Sequence, residues 1–231
     1  MTKLLLVGIV VLFAASAAHA SYTVSYGWED GIGTVLGTYG TNISNIANVS
    51  GPIVGQACTL GTYNCPGAFE GTQYLMASET PHTGTPQLFL ACITGLVEGD
   101  IVPASFWGYD ATPGASPSLR IWGHYSSAVQ CPDCPGDYTG SAGGNAAYTD
   151  GPGWDEVAFD FPFTSSGDDF GLVIEARLYS SPSTLDPCQT DYFVDFVTVT
   201  VPDYAHVLFP DLEGPSATEA ANWGAIKALF Q

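Results

Sequence analysis

The sequence predicts an all-β protein, a jelly-roll β-sandwich with a short C-terminal helix. Between residues 21 and 202, short runs rich in β-branched and aromatic residues alternate with clusters of Gly, Pro, Asn, Asp and Ser. Several runs alternate apolar and polar residues, which is typical of a sheet with one buried and one solvated face. This region has no helical periodicity of useful length, and strands without intervening helices favour a sandwich or jelly roll.

Nine strands are predicted from these runs, at residues 22–29, 34–39, 73–78, 87–94, 101–109, 118–125, 156–163, 171–179 and 192–201. Residues 88–93 are apolar on both faces, which favours a central strand that is covered on both sides. A long loop rich in Gly, Asp and Tyr is expected at residues 126–154. Loops of that length are commonly functional or disordered.

The first 20 residues have the features of a secretory signal peptide. Lys3 supplies a positive charge, residues 4–15 form an apolar segment, and the cleavage motif AHA at residues 18–20 places the mature start at Ser21. The apolar segment is shorter than the ~18–20 residues of a transmembrane helix. We therefore expect a secreted or cell-surface protein without a transmembrane segment in its mature part.

The chain is strongly acidic, with 23 Asp and Glu against 4 Lys and Arg and a formal net charge of −19. Such a charge repels phosphate backbones, which excludes nucleic acid as a partner, and it disfavours anionic membranes and acidic polymers. It favours cations, so a carboxylate-rich sandwich is a candidate for calcium binding. Solubility alone is the other explanation for the acidic surface.

Six cysteines in an exported chain predict disulfide bonds, although six allow 15 pairings. Spacing favours local pairs, Cys58 with Cys65 and Cys131 with Cys134. This leaves Cys92 and Cys188, as a pair or as buried thiols. The CPDC motif at residues 131–134 lies between prolines in a Gly-rich loop, so we interpret it as a structural clip rather than a redox or zinc motif.

The character of the sequence changes after residue 202. Residues 203–214 read as a linker, and SATE at residues 216–219 is a capping box that begins an amphipathic helix. Trp223, Ile226 and Phe230 share one face of this helix. A helix of about 14 residues is marginal alone, so we expect it to dock on its own domain or on a partner. The tail is similar to those that end many secreted bacterial proteins.

Three stretches resemble the galactose-binding-like jelly-roll family, which includes many carbohydrate-binding modules. They are GWEDG at residues 27–31, LVEGDIVPASFW at residues 96–107 and YFVDFVTV at residues 192–199. The resemblance covers residues 21–202. It implies a jelly-roll fold, and it implies carbohydrate binding as one of the functions that this fold supports.

The same resemblance implies a structural calcium ion between the opening and closing strands. Carried over by position, its ligands are Glu29 and Asp195, with Asp30 as a further candidate; Phe196 stands where the family commonly has a second acid. If the first and last strands are adjacent, a hard cation would relieve the repulsion between the two carboxylates. Asp195 could instead accept hydrogen bonds from nearby backbone amides.

Sugar binding requires flat aromatic surfaces with polar groups at their edges. The candidates are Trp107, Tyr109, Trp122, Tyr125, Tyr138, Tyr148, Trp154 and Arg120. Strand alternation places Trp107 with Tyr109 on one face, and Trp122 with Arg120 and His124 on one face. The strand tryptophans could equally be core residues. Arg120 and Arg177 could form salt bridges with Glu175 or Glu156, or bind an acidic sugar.

These observations favour a secreted, non-catalytic carbohydrate-binding or surface-adhesion module whose partner is a polysaccharide or a cell-surface glycan. One alternative is a structural cell-envelope protein held by its terminal helix. A glycan-cleaving enzyme is the other alternative, and it would need two carboxylates at a set separation. The sequence contains no unambiguous catalytic pair and no Gly-x-Ser-x-Gly motif.

Overall fold

The computed structural model describes residues 20–40, 43–51, 53–57, 61–65, 67–79, 85–110, 119–129, 134–145, 153–164, 167–178 and 190–210. The predicted signal peptide, except for Ala20, and the predicted C-terminal helix lie outside the described residues, as does Tyr148. Within the described residues no helix has the length and apolar character needed to cross a membrane.

The described part of the chain forms fourteen β-strands and one 3-10 turn. The strands are β1 (Ser21–Tyr26), β2 (Gly37–Tyr39), β3 (Ile43–Ser50), β4 (Ile53–Ala57), β5 (Gly61–Cys65), β6 (Gln73–Glu79), β7 (Gln87–Thr94), β8 (Ile101–Asp110), β9 (Leu119–Ser126), β10 (Tyr138–Gly144), β11 (Asp155–Pro162), β12 (Gly171–Leu178), β13 (Thr190–Pro202) and β14 (His206–Leu208). The 3-10 turn spans Cys134–Gly136 and lies between β9 and β10.

The strands form two six-stranded antiparallel sheets. Sheet A has the order β11-β8-β13-β6-β3, with β1 also paired to β13, and sheet B has the order β10-β9-β12-β7-β14, with β2 also paired to β7. Of the eight consecutive strands β6 to β13, four lie in sheet A in the order β11-β8-β13-β6, and four lie in sheet B in the order β10-β9-β12-β7. This is the strand order of a jelly roll, so the predicted fold is confirmed. Strands β4 and β5 form a separate two-stranded sheet.

The main core lies between the two sheets. It contains alternate residues of strands from both sheets, including Leu75 and Phe106 from sheet A and Leu90 and Ile121 from sheet B, all fully buried. Because side chains alternate across a strand, the intervening residues face outward. Two smaller clusters of buried residues cover parts of these outward faces, and they involve Phe193 on sheet A and Phe89 on sheet B.

The opening and closing strands are adjacent, as the calcium hypothesis requires. Strand β1 pairs with β13 over its whole length, from Ser21 opposite Pro202 to Tyr26 opposite Val197. Beyond Val197 the register of β13 shifts at Phe196, which has a positive φ of 46°. This bulge turns Asp195 to the outward face although Val194 and Val197 both lie in the core.

Several strands lie where the sequence predicted loops. Strand β10 falls inside the predicted 126–154 loop, and β3, β4 and β5 were not predicted. Strand β10 has the sequence YTGSAGG, which has no apolar alternation, and it forms by pairing with β9. Strand β14 lies in the predicted linker and pairs with β7. The Phe209 ring, which follows β14, stacks on the Tyr26 ring with a centroid distance of 5.6 Å. Within the described residues, sheet B therefore continues past residue 202 into β14.

The described disulfide joins Cys92 of β7 to Cys134 in the 3-10 turn, 42 residues away, with a Cα–Cα distance of 6.0 Å. The predicted pairing of Cys131 with Cys134 is therefore wrong. The two alternatives for Cys92, a bond to Cys188 or a buried thiol, are also wrong. The turn folds back over sheet B and buries Cys134 beside Phe89 and Val173. Spatial proximity across the sheet, rather than closeness in sequence, decides this bond.

Candidate ligand-binding site

The outward face of sheet B brings the most distinctive polar and aromatic side chains together. Residues that pair directly across β2, β7, β12, β9 and β10 form rows over this face. The first row is Tyr39, Gln87, Arg177 and Arg120; the second is Gly37, Phe89, Glu175, Trp122 and Gly144; the third is Cys92, Val173, His124 and Ser141. Strand pairing, with register shifts between the second and third rows, therefore sets which side chains are neighbours in this site.

Trp122 lies at the centre of the face, beside two guanidinium groups. The guanidinium carbon of Arg120 is 4.4 Å from the ring centroid, and that of Arg177 is 5.0 Å away. Both distances are in the range of cation–π interactions. The indole Nε1 donates a hydrogen bond of 2.8 Å to the Ser141 hydroxyl. The ring is thus fixed in position by contacts on β9, β10 and β12.

A buried charge network lies next to this ring. Glu175 is fully buried; one of its oxygens accepts a hydrogen bond of 2.6 Å from Arg177 Nε, and the other bonds to His124 Nδ1. A buried carboxylate is costly unless it is paired in this way. The predicted salt bridge between Arg177 and Glu175 is confirmed. The network uses both oxygens of Glu175 and holds the side chains of two adjacent strands together.

The His124 side chain is 1% exposed and packs between two rings. Its ring centroid is 5.0 Å from that of Phe89 and 5.1 Å from that of Tyr138. Within the described residues, His124 Nε2 has no hydrogen-bond partner. A buried polar atom of this kind is normally satisfied by water or a ligand. The His124 ring lies next to the exposed Tyr138 ring, on the same face of sheet B as Trp122.

The exposed rings of this face are at its two sides. Tyr138 on β10 is 60% exposed and Tyr39 on β2 is 68% exposed. Tyr39 lines an open depression with Thr38, Gly40, Thr85 and Gln87. Strands β2 and β10 are separated by four strand-to-strand spacings in sheet B, which is about 19 Å across the sheet. The face is therefore wide enough for a ligand of several units.

The absence of a side chain at Gly144 leaves room for the Trp122 ring. A Cβ at this position would lie 2.3 Å from the Ile121 carbonyl oxygen and 2.8 Å from Trp122 Cε3. Both distances are too short for non-bonded contact. The Gly-rich sequence of β10 thus allows this strand to approach β9 closely at the tryptophan.

The outward face of sheet A has a second aromatic group. The Trp107 ring is half-buried and stacks on Phe69, with ring centroids 3.8 Å apart and an interplanar angle of 10°. Phe69 belongs to the loop before β6, and its ring is 39% exposed. Phe69 therefore covers one side of the Trp107 ring, which leaves less of that ring open to a ligand.

Tyr109 and Trp154 belong to a small cluster on the same face of sheet A. Tyr109 is 2% exposed, and its ring lies in edge contact with that of Trp154. Tyr74 and Phe193 are the other buried rings of this cluster. Trp154 Nε1 donates a hydrogen bond of 2.9 Å to the Gly67 carbonyl. These rings stabilise the outer side of the sheet. Tyr109 and Trp154 are therefore not part of the candidate ligand-binding face.

The structure divides the sequence-predicted ligand residues between the two sheets. Arg120, Trp122 and Tyr138 come together on sheet B, while Trp107, Tyr109 and Trp154 lie on sheet A. Tyr125, also named as a candidate, points toward the core and donates to the Pro162 carbonyl. Sequence reasoning missed Tyr39, because the pairing of β2 with β7 is a long-range contact without a local signal.

The candidate calcium ligands accept hydrogen bonds from one loop. Asp195 is fully buried. Its Oδ2 accepts hydrogen bonds from the backbone amides of Phe69 (2.8 Å) and Glu70 (3.1 Å). Its Oδ1 accepts a hydrogen bond of 2.7 Å from the backbone amide of Phe196. The two oxygens of Glu29 accept from the amides of Thr72 and Gln73 and from the Thr72 hydroxyl. The alternative considered for Asp195, a carboxylate that accepts backbone amides, is thus observed.

Asp30 has a local role. Its carboxylate accepts hydrogen bonds from the Ile32 and Gly33 amides and from the Tyr26 hydroxyl, so it stabilises its own turn. Among the described residues no group of three or more His, Cys, Asp or Glu side chains is arranged to hold a metal ion. Any cation beside Glu29 and Asp195 would need further oxygen ligands from backbone carbonyls or water.

The two carboxylates have opposite pKa shifts. Desolvation by burial raises the pKa of Asp195 to about 6. The hydrogen bonds from the amides of Glu70, Phe196 and Phe69 act to lower this pKa, and the negative charge of Glu29 acts to raise it. Desolvation also acts to raise the pKa of Glu29, but hydrogen bonds from Gln73 and Thr72 outweigh it and hold that pKa below its usual value. The two groups are close enough to interact electrostatically.

The fold and this face define a jelly-roll sandwich with an aromatic and cationic outer surface. No protein-family model matches the sequence, and no curated protein matches it. The structure is similar to the CBM22-1 xylan-binding domain of Xyn10C from Paenibacillus barcinonensis, with 16% identity, a TM-score of 0.46, and coverage of 80% of this chain and 99% of that one.

Two further solved structures are also similar, with lower TM-scores. A carbohydrate-binding module of the β-sandwich superfamily has 16% identity and a TM-score of 0.42, over 77% of this chain and 72% of that one. The K1 cleaved adhesin domain of Lys-gingipain from Porphyromonas gingivalis has 12% identity and a TM-score of 0.33, over 77% and 97%. Because these sequence identities and TM-scores are low, the ligand of this chain has to be inferred from its own side chains.

Proposed function

We propose that this protein is a secreted, non-catalytic carbohydrate-binding or surface-adhesion module that binds a glycan on the outward face of sheet B. The observation that carries this proposal is the placement of Trp122, its two guanidinium neighbours and the exposed Tyr138 on one face. Sugar C–H groups stack on aromatic rings, and sugar hydroxyls bond to polar groups at the ring edges. The exposed Tyr39 extends the same face on its other side.

Preorganisation supports this proposal. Trp122, Glu175 and Arg177 lie on paired strands and are held by contacts with one another rather than by loops. A site whose side chains are already fixed loses less conformational entropy when a ligand binds. The face is thus suited to recognition without a large structural change.

The carboxylates on this face do not favour glycoside hydrolysis. Hydrolysis commonly uses two carboxyl groups that flank the scissile bond. Among the described outward-facing residues of β2, β7, β9, β10 and β12, Glu175 is the one carboxylate, and it is bonded to both His124 and Arg177. This arrangement supports a binding role.

Retention on polysaccharides tests the proposal directly. The mature protein is passed over a panel of insoluble plant, algal and microbial polysaccharides, and bound protein is quantified. Retention on at least one of them is expected, and Tyr138→Ala should weaken it about tenfold, because stacking on one ring contributes on the order of 1 kcal/mol or more. Tyr39→Ala tests the other side of the face.

Trp107→Ala is the matched control, since it removes an aromatic ring from the opposite sheet. Its retention should equal that of the wild type. If the Trp107 variant lost retention and the Tyr138 variant retained it, the binding site would lie on sheet A. Failure of the wild type to bind any polysaccharide of the panel would contradict the proposed glycan-binding function.

We also propose that calcium binds beside Glu29 and Asp195, as a supplement to their amide contacts. A carboxylate has about four acceptor positions, and each of these groups uses three. The remaining positions are on Asp195 Oδ1 and Glu29 Oε2. Gly27 lies next to Asp195 Oδ1, where a Cβ would approach to 3.5 Å. The absence of a side chain there leaves space beside this oxygen.

A further inference from the structure

We propose that a sugar hydroxyl of the glycan bound on sheet B donates a hydrogen bond to His124 Nε2 and accepts one from the Ser141 hydroxyl. This inference rests on the proposed function of the outward face of sheet B. It names the chemical group that the ligand presents at this point, an unsubstituted hydroxyl, which stacking on aromatic rings does not specify. His124 and Ser141 are then residues that determine specificity.

The bonds of Glu175 fix the tautomer of His124. One oxygen of this buried carboxylate accepts from Arg177 Nε, and the other bonds to His124 Nδ1. A carboxylate that is ionised beside a guanidinium group can only accept, so Nδ1 carries the proton. An imidazole is mostly uncharged at neutral pH, and its Nε2 then has a lone pair that accepts. The group that pairs with His124 Nε2 is therefore a hydrogen-bond donor.

His124 Nε2 is buried and has no hydrogen-bond partner among the described residues. Leaving a buried polar atom without a partner costs free energy, so a donor supplied by a ligand is favoured here. A metal ion is the other group that a neutral imidazole can bind. In the part of the chain that the structure describes, however, no group of three or more His, Cys, Asp or Glu side chains is placed to hold one. A hydroxyl is therefore favoured over a cation.

Ser141 supplies the complementary donor. It pairs directly with His124 across β9 and β10, and the Cβ atoms of such pairs are about 5 Å apart. Its oxygen accepts from Trp122 Nε1 at 2.8 Å and from the Gly143 amide at 3.2 Å. These two bonds use both lone pairs, so the remaining capacity of the exposed Ser141 side chain is its own proton. A sugar hydroxyl both donates and accepts, so it can pair with His124 and Ser141 together.

Tyr138 controls access to this pair. The His124 ring packs between Phe89, which is 5% exposed, and Tyr138, which is 60% exposed. A ligand therefore reaches the imidazole from the Tyr138 side. Tyr138 is the first residue of β10 and is followed by a register shift. Exposed side chains change rotamer within nanoseconds, and such changes are common on binding, so the ring can turn from His124 and stack on the sugar.

The NMR signals of the imidazole nitrogens test this hydrogen bond in the wild type. Mature protein labelled with nitrogen-15 histidine is titrated with soluble fragments, prepared by limited acid hydrolysis of each polysaccharide of the panel that retains it. The Nε2 signal of His124 should shift upfield as a fragment binds, because the hydrogen bond draws on the lone pair of this nitrogen. The exposed His206 lies on β14, at the opposite edge of sheet B from β10, and its signals should not move.

Replacement of His124 would leave Glu175 without one of its partners, so the variants are made at Ser141. Ser141→Ala should bind the same fragments about fivefold more weakly, which is the loss expected for one neutral hydrogen bond. Ser141→Thr retains the hydroxyl and should keep most of the affinity. Ser25→Ala is the matched control, since it removes an exposed serine hydroxyl from β1 of sheet A, and its affinity should equal that of the wild type.

Two results would overturn the inference and leave the proposed function intact. One is a fragment that binds without shifting the His124 Nε2 signal. The other is equal affinity of Ser141→Ala and the wild type for every fragment that binds. If no polysaccharide of the panel retained the wild type, the proposed function itself would be overturned.

Discussion

The guanidinium carbon of Arg120 lies 4.4 Å from the ring centre of Trp122, two residues further along the same strand. In an extended strand, residues i and i+2 point to the same side, so this contact is a direct product of strand geometry. It makes the centre of the sheet B face cationic, while the rings that remain open lie at its sides. This division between a charged centre and aromatic flanks is the basis of the proposed recognition.

Gly144→Ala should disrupt the position of Trp122. The new Cβ would lie 2.3 Å from the Ile121 carbonyl oxygen and 2.7 Å from Trp122 Cα, and backbone atoms cannot move away without shifting β10 from β9. We expect a loss of about 1–3 kcal/mol in the free energy of unfolding, as for other overpacked sites. Chemical denaturation measures this loss, and glycan retention should fall with it.

Gly140→Ala is the control for this variant. Gly140 lies on the same strand, and no atom lies within 4 Å of the position that its Cβ would take. Its stability and binding should match those of the wild type. Equal effects of the two substitutions would show that the loss does not come from the close approach of Gly144 to β9, and the specific role assigned to Gly144 would be wrong.

The stability of the protein should depend on the protonation of Asp195. The pKa of this group in the folded state is about 6, above its usual value of 3.8. Between these values the folded state binds more protons than the unfolded state, so the contribution of Asp195 to the free energy of unfolding falls as pH rises. The stability of Asp195→Asn relative to the wild type should therefore increase from pH 4 to pH 7, by about 2 kcal/mol.

Thermal unfolding in the presence of a chelator, at several pH values, measures this difference. Asp160→Asn is a suitable comparison, because Asp160 is exposed on the same face of sheet A. Its stability relative to the wild type should change much less over this range. A constant difference between Asp195→Asn and the wild type would contradict the raised pKa.

Calcium should raise the melting temperature of the wild type at pH 7, because a ligand that binds only the folded state stabilises it. Glu29→Gln and Asp195→Asn should abolish this increase. Asp30→Asn should retain it, since the Asp30 carboxylate bonds within its own turn. An unchanged melting temperature at millimolar calcium would reject the proposed ion site without affecting the glycan proposal.

Removal of the Cys92–Cys134 disulfide should destabilise the sandwich. The bond links residues 42 positions apart, and the loop-entropy relation gives a cost of about 4 kcal/mol for a loop of this size. The double variant Cys92→Ala with Cys134→Ala should therefore unfold at lower denaturant than the oxidised wild type. If the pair Cys131–Cys134 formed instead, substitution of Cys92 with Ala would leave the denaturation midpoint nearly unchanged.

The sequence predicted strands best where apolar and polar residues alternate. In β12, Leu172, Ile174 and Ala176 enter the core and Glu175 faces outward, as the pattern indicates. Strand β10 was missed because its seven residues include three glycines and only one large side chain. Its conformation comes from hydrogen bonding to β9, and such pairing leaves no periodic pattern in the sequence.

Local periodicity was sufficient to determine that the chain is all-β and that Arg120, Trp122 and His124 share one side of a strand, because side-chain direction in a strand depends only on residue spacing. Only the tertiary structure decided that Trp107 lies on the opposite sheet, that Tyr39 lies on the row of Arg120, and that Cys92 bonds to Cys134. These relationships depend on which strands pair and which sheet each one joins. Both are set by contacts between residues far apart in the chain.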